Sequence, residues 1–171
     1  MRFDKLDPWK ATTALIKRGV DKDIALWYRD YLTDRHAHLH VKGSSTTRRI
    51  EIGCPQGGVL STILWNLAFD DMLNLFKGKG IICVRYADDG CILVTGRHIK
   101  SLYRDMNEAL ERCRNWAEEY GLGLSPSKTN YVLFTKKSRK SYEIPQQGIR
   151  IGTTAVDTVQ SCKYLGLDYS T

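Results

Sequence analysis

Hydrophobic and polar positions along the chain change period several times, and each change marks an element. Asp7-Pro8 is an N-cap followed by proline at the first helical position, and Gly19 stops the helix after Leu15 and Ile16. Asp21 caps a second helix in which Ile24, Trp27, Tyr28 and Tyr31 fall at i, i+3, i+4 and i+7, which predicts one apolar stripe facing the core. At 36–41 the period drops to two (His-Ala-His-Leu-His-Val), Gly43-Ser44-Ser45 interrupts it, and a second run follows at 48–52, a β-hairpin pattern. Residues 59–76 are apolar almost all round a helical wheel, as a helix buried on several sides beneath a sheet requires. Continuous apolar runs at 81–84 and 91–94 flank Arg85-Tyr86-Ala87-Asp88-Asp89-Gly90, predicting a central hairpin of buried strands. From Ile99 to Tyr120 the helical period is unbroken, and Gly121 stands at the stop position. Strands are predicted at 131–135, near 149–151 and around 162–169. The order is that of an α+β domain, an antiparallel sheet backed by helices.

Composition narrows this plan without naming a function. With 171 residues and 42% apolar content the chain is expected to build one core-bearing domain. A net charge of +7 favours polyanionic partners, nucleic acid foremost, although solvated lysines alone also produce such a balance. Five cysteines without CxxC spacing argue against a zinc cluster or a disulfide framework and for a reducing intracellular compartment. No apolar run reaches the roughly 20 residues of a membrane span, so a soluble protein without a membrane partner is expected.

Two segments carry chemistry. Asp88 and Asp89 sit at the bend of the apolar hairpin, so a rigid scaffold presents paired negative charge. Hard cations such as Mg2+ prefer carboxylate oxygens and keep positions open for substrate phosphates, which makes the pair half of a two-metal phosphoryl-transfer site. Asp, Asp and Gly are also ordinary turn residues. The second segment, Cys54-Pro55-Gln56-Gly57-Gly58-Val59-Leu60-Ser61, joins a rigid proline to two glycines before a helix, a loop that lets a ligand approach bare main chain. His36, His38 and His40 share a strand face, but no acidic or cysteine ligand stands beside them, and an exposed polar face is expected.

Taken in order, these motifs resemble the reverse transcriptase family, with the non-LTR (LINE-type) retrotransposon branch the nearest in pattern. The resemblance runs through the loop at 54–61 into Trp65-Asn66-Leu67, then Tyr86-Ala87-Asp88-Asp89, Leu124-Ser125-Pro126-Ser127-Lys128-Thr129 with Phe134, and Lys163-Tyr164-Leu165-Gly166. It implies a polymerase palm-like fold and an RNA-directed DNA polymerase using Mg2+ or Mn2+, an RNA template, a DNA primer and dNTPs. On that basis Asp88 is the metal-ligating carboxylate and Asp89 its less essential neighbour. Tyr86 and Ala87 lie by the primer end, and Pro55, Gln56 and Gly57 touch nucleotide and template. Lys128 neutralises or protonates the leaving pyrophosphate, and Tyr164, Leu165 and Gly166 form the primer grip.

The match also has edges. Arg2-Phe3-Asp4-Lys5-Leu6 resembles the tail of the family's first catalytic motif, with Phe3 the aromatic beneath the sugar and the metal-binding aspartate expected upstream of Met1. Thr62 stands where the family usually has proline. The reading is therefore of a partial palm domain, 1–171, without its first catalytic aspartate, fingers or thumb, unable to polymerise alone. A non-catalytic RNA- or RNP-binding remnant and a group II intron maturase-type enzyme share the same motifs. The family life cycle implies a nuclear or cytoplasmic ribonucleoprotein, while the basic run at 136–140 reads as a solvated loop.

Overall fold

The computed structural model describes residues 5–55, 57–76, 80–136 and 142–171, with the side chain of Ala68 left out. Phe3 and Gln56 therefore lie outside the described residues, as does the basic run beyond Lys136. The chain divides into two compact units, one of Arg2–Met72 with Glu118–Leu122, the other of Leu73–Ala117 with Gly123–Thr171.

The first unit opens with α1 (Pro8–Lys17) and α2 (Lys22–Leu32). Both start at the aspartates that the sequence marks: Asp7 accepts from the backbone N–H groups of Trp9 and Lys10, Asp21 from those of Asp23 and Ile24. Each cap satisfies amides that have no partner inside the helix. α2 buries Ala25, Tyr28 and Leu32, whereas Ile24 and Trp27 are each 60% exposed and Tyr31 is 47% exposed. The stripe expected to face the core is thus wrong at three of its four positions. Ala25, Tyr28 and Leu32 form a competing stripe at i, i+3 and i+7, and the small alanine leaves room for a packed neighbour. Strands β1 (Arg35–Val41) and β2 (Ser44–Ile50) form the expected hairpin, with Lys42 and Gly43 both at positive φ in its two-residue turn.

Helix α3 (Val59–Asn74) buries Leu64, Trp65, Phe69 and Met72, but Val59 is 79% exposed and Ile63 about half exposed, so its first turns are not enclosed as expected. Arg18 bridges Asp70 at 2.5 Å and Asp71 at 2.6 Å, and the Tyr120 hydroxyl donates to Asp71 at 2.6 Å. Burial opposes ionisation of Asp71, but the bonds from Tyr120 and Arg18 outweigh it and hold the carboxyl below its ordinary range.

In the second unit β3 (Ile81–Tyr86) pairs antiparallel with β4 (Asp89–Val94). Helix α4 (Ile99–Glu119) buries Tyr103, Ala109, Leu110, Cys113, Trp116 and Ala117 along one face. Its core joins Tyr103 and Leu110 to Ile149, Ile151 and Val156, with Ile92 and Tyr131 packed alongside, so a helix does back strands here. The remaining strands are short: β5 (Asn130–Tyr131), β6 (Arg150–Ile151), β7 (Thr154–Ala155), β8 (Asp157–Thr158), β9 (Ser161–Tyr164) and β10 (Leu167–Ser170).

Mixed helices and small, mostly antiparallel sheets agree with the α+β reading, but two particulars differ. Among the described residues the strands form five separate two-stranded sheets in place of one continuous sheet, and β5 pairs with β8 in parallel. The hairpin strands, expected to be wholly buried, alternate: Ile82, Val84 and Leu93 are exposed while Ile81, Cys83 and Ile92 are half-buried. Apolarity on both faces of a strand fixes neither the number of covering layers nor which face they cover. No described helix is long and apolar enough to cross a membrane, and the five cysteines are free.

Candidate functional site

The carboxylate pair is set by the shortest connection that a hairpin allows. Tyr86 is opposite Asp89, leaving Ala87 and Asp88 as the two turn residues. Ala87 takes φ 51°, the left-handed region that a two-residue hairpin turn needs at its first position and that an L-residue adopts at a cost of about 1–2 kcal/mol. Arg85, half-buried on the inner face, donates to the Ala87 carbonyl at 2.8 Å and braces the turn. This brace was missed by the sequence reading, although a lone cation in the run Ile-Ile-Cys-Val-Arg-Tyr was a signal that it had work to do. Burial lowers the Arg85 pKa. Asp88 and Asp89 are exposed, and among the described residues no lysine or arginine pairs with either.

Behind the turn the scaffold is firm. Cys113 on α4 faces Cys83 on β3, and burial pushes the Cys113 thiol up to about 12 and that of Cys83 up to about 11. On β9 the Tyr164 hydroxyl donates to the Val84 carbonyl at 3.5 Å, a long bond that nevertheless puts the 164–166 turn beside the Asp88 hairpin. Burial is the main cause that raises Tyr164, and the charge of nearby Asp89 adds to it. Leu165 and Gly166 form that turn, both at positive φ (51° and 84°). Tyr86 is 67% exposed and Leu165 51%, so both hairpins present side chains to solvent near the acids. Lys128 ends a single 3-10 turn (Pro126–Lys128) and is exposed, its ammonium without a partner among the described residues. The structure thus brings Tyr86, Ala87, Asp88, Asp89 and Tyr164 together, while among the described residues no side-chain hydrogen bond or ion pair ties Lys128 to them. No described group of three His, Cys, Asp or Glu residues could hold a metal ion, and His36, His38 and His40 are exposed as expected.

The other motif belongs to the first unit. Gly57 has φ +83° with open space around it, so only glycine enters that turn without strain and a ligand can reach the backbone. Gly58 is required for a different reason, because a Cβ there would meet the Ser61 hydroxyl at 2.9 Å. The Gly58 N–H donates to the Pro55 carbonyl at 3.3 Å, closing the loop. Beneath it Cys54, Ser61 and Tyr28 are buried, and burial pushes Cys54 up to about 11 and Tyr28 up to about 12. All three side chains therefore stay neutral and serve as a platform.

Comparison with known proteins speaks to the whole chain. The family described as Reverse transcriptase (RNA-dependent DNA polymerase) matches residues 2–169. A retrovirus-related Pol polyprotein from type-1 retrotransposable element R1 2 of Nasonia vitripennis is 33% identical over 121 residues, 68% of this chain and 28% of that protein. The corresponding R1 protein of Bradysia coprophila is 25% identical over 165 residues, 96% of this chain and 16% of its own length. An RNA-directed DNA polymerase from mobile element jockey of Drosophila melanogaster is 25% identical over 157 residues, 88% of this chain and 17% of its own. The chain spans less than a third of each of these relatives, which are retrotransposon proteins, as the motifs implied. With nearly every residue inside the match, the chain belongs to the reverse transcriptase (RNA-dependent DNA polymerase) family.

Proposed function

We propose that this chain is a palm segment of a retrotransposon-encoded polymerase that adds deoxynucleotides to a primer 3′-hydroxyl on an RNA template. The observation that carries the reading is the pair Asp88 and Asp89, exposed and without a cationic partner among the described residues, at the turn of a hairpin braced by Arg85 and backed by α4. Adjacent unpaired carboxylates repel one another, and a divalent cation offsets that repulsion while leaving positions for phosphate oxygens. Oxygen-only donors fit Mg2+ or Mn2+, and two carboxylates are too few for a closed site, which suits an ion shared with substrate. Such an ion, when bound, stabilises charge developing on the transferred phosphoryl group. Asp88, in the turn itself, would be the principal ligand, and Asp89 its auxiliary.

The other assignments rest on family membership and motif order. Tyr86 and Ala87 border the primer end, and the 164–166 turn steers the primer strand past them. Lys128 offers its ammonium to the leaving pyrophosphate. Pro55, Gln56 and Gly57 meet nucleotide and template with their main chain, and Phe3 lies against the sugar. Fingers and thumb are supplied by the longer polymerase, which acts in a nuclear or cytoplasmic ribonucleoprotein. The test is primer extension on poly(rA)/oligo(dT) with Mg2+, using the polymerase that contains this chain. Asp88→Asn is expected to lower the rate on the order of a hundredfold or more, equivalent to several kcal/mol of lost charge stabilisation, with a smaller loss for Asp89→Asn. Extension by Asp88→Asn at the unsubstituted rate would remove the metal role.

A further inference from the structure

We propose that the β1–β2 hairpin is a docking ribbon for double-stranded DNA, a surface independent of the carboxylate hairpin and of the polymerase reading. Every residue from His36 to Arg49 is exposed, so both faces of the ribbon are open. An isolated two-stranded ribbon is marginal in water, which makes this a poor place to spend fourteen residues on structure alone. Between Arg35 and Ile50 stand four basic residues, three histidines and no acid. One of the four, Arg35, is spent on anchoring: it donates to the carbonyls of Leu32, Ile52 and Gly53 and clamps the ribbon's base. The others are available. Lys42 at the tip and Arg48 have no partner among the described residues, and Arg49 meets Asp34 and Glu51 only at 3.4 and 3.9 Å with all three well exposed.

Register sorts the side chains by face. His36, His38 and His40 lie opposite Arg49, Thr47 and Ser45, a row of hydrogen-bonding groups on one face, and the His38 ring is held across the ribbon by a 2.8 Å bond to Thr47. Arg48 lies on the reverse face with Leu39, so cations stand on both sides. A strand of seven residues runs about 23 Å, and its two-stranded width is what the roughly 12 Å major groove of B-form DNA admits. The same groove puts phosphates on both walls. Single strands are a poorer fit, because they are held by stacking on aromatic rings and the ribbon has no Phe, Tyr or Trp.

The experiment measures fluorescence anisotropy of a labelled duplex of about two helical turns over a salt series, with the full chain. Lys42→Gln, Arg48→Gln and Arg49→Gln combined are expected to weaken binding at least about tenfold near 0.1 M salt and to lower the log–log salt slope by about 2–3. A control removing the same charge elsewhere, Lys22→Gln with Arg97→Gln and Lys100→Gln, is expected to lose far less. Equal losses in the two triples, or an unchanged slope in the hairpin triple, overturn the proposal. So does a hairpin effect seen on single-stranded RNA and not on the duplex. Acetylation footprinting of the unaltered chain decides independently of whether the triple folds: duplex DNA should protect Lys42, and undiminished reactivity there overturns the assignment.

Discussion

The β1–β2 and β3–β4 hairpins use the same local code and come to opposite ends. Each joins strands of six or seven residues through two residues, the first an L-residue at φ near 50°. β1–β2 is open on both faces and held at its base by Arg35, whereas β3–β4 is covered on one face by α4 and flanked by β9. Turn chemistry therefore makes a hairpin, but composition decides what the hairpin is for. Ile, Val and Cys at alternate positions secure a helix behind β3–β4, and only a backed turn can hold two like charges in fixed places. His, Ser, Thr and Arg secure nothing, and leave a ribbon free to meet a partner.

The largest expected effect on stability breaks this contrast by removing the backing. Ile92→Ala deletes a side chain packed on the α4 core and is expected to cost about 2 kcal/mol, whereas Leu39→Ala on the open ribbon should fall within about 0.5 kcal/mol. Thermal or urea unfolding of the two variants measures the difference. Equal losses would mean that the covering of β3–β4 contributes nothing.

Alkaline pH tests the same backing from the chemical side. Cys83 and Cys113 are held up at about 11 and about 12 against 9.0 for a free thiol, burial being the first cause in both. A thiol whose folded pKa exceeds its unfolded value keeps its proton better when folded, so its contribution is complete below about 9 and drains away as pH rises towards 11–12. The melting temperature is expected to fall over that window, and less steeply in Cys113→Ala. The open ribbon contains no cysteine and adds nothing to this thiol contribution.

How much of this was legible in the sequence differs between the two regions for physical reasons. Caps at Asp7 and Asp21, the stop at Gly121 and the turns of β1–β2 and β3–β4 are local events, and local chemistry foretold them, whereas 162–169, read as one strand, folds back at Leu165-Gly166 into β9 and β10. The open ribbon was legible too, because histidines alternating along a strand have no reason to be buried. What covers an apolar surface is not local. The alternation of β3–β4 between covered and open faces depends on α4, and the exposure of Trp27 and Tyr31 depends on Ala25 winning the contact in α2. The parallel pairing of β5 with β8 joins residues far apart in sequence and leaves no periodic trace. In the candidate site the acids and the Tyr164 turn were named from motif order, whereas the Arg85 brace and the Tyr28–Ser61 platform needed three dimensions.

The smallest expected effect sharpens the comparison at the turns themselves. Lys42 is followed by Gly43 and Leu165 by Gly166, each glycine at φ above 80°, but Ala87 is followed by Asp88, so in the carboxylate turn an L-residue takes the left-handed position with no glycine beside it. Ala87→Gly relieves strain of about 1–2 kcal/mol and gives back about 0.5–1 kcal/mol through the greater freedom of glycine in the unfolded chain. The net expectation is a stabilisation of about 0.5 kcal/mol, readable as a small rise in melting temperature. Its mirror, Gly43→Ala, puts a Cβ at φ +82° in open space and should cost about 1 kcal/mol without any clash. If Ala87→Gly destabilised instead, the Ala87 methyl would have to be packed, and the turn that carries Asp88 would owe its conformation to its surroundings and not to its own two-residue hairpin geometry.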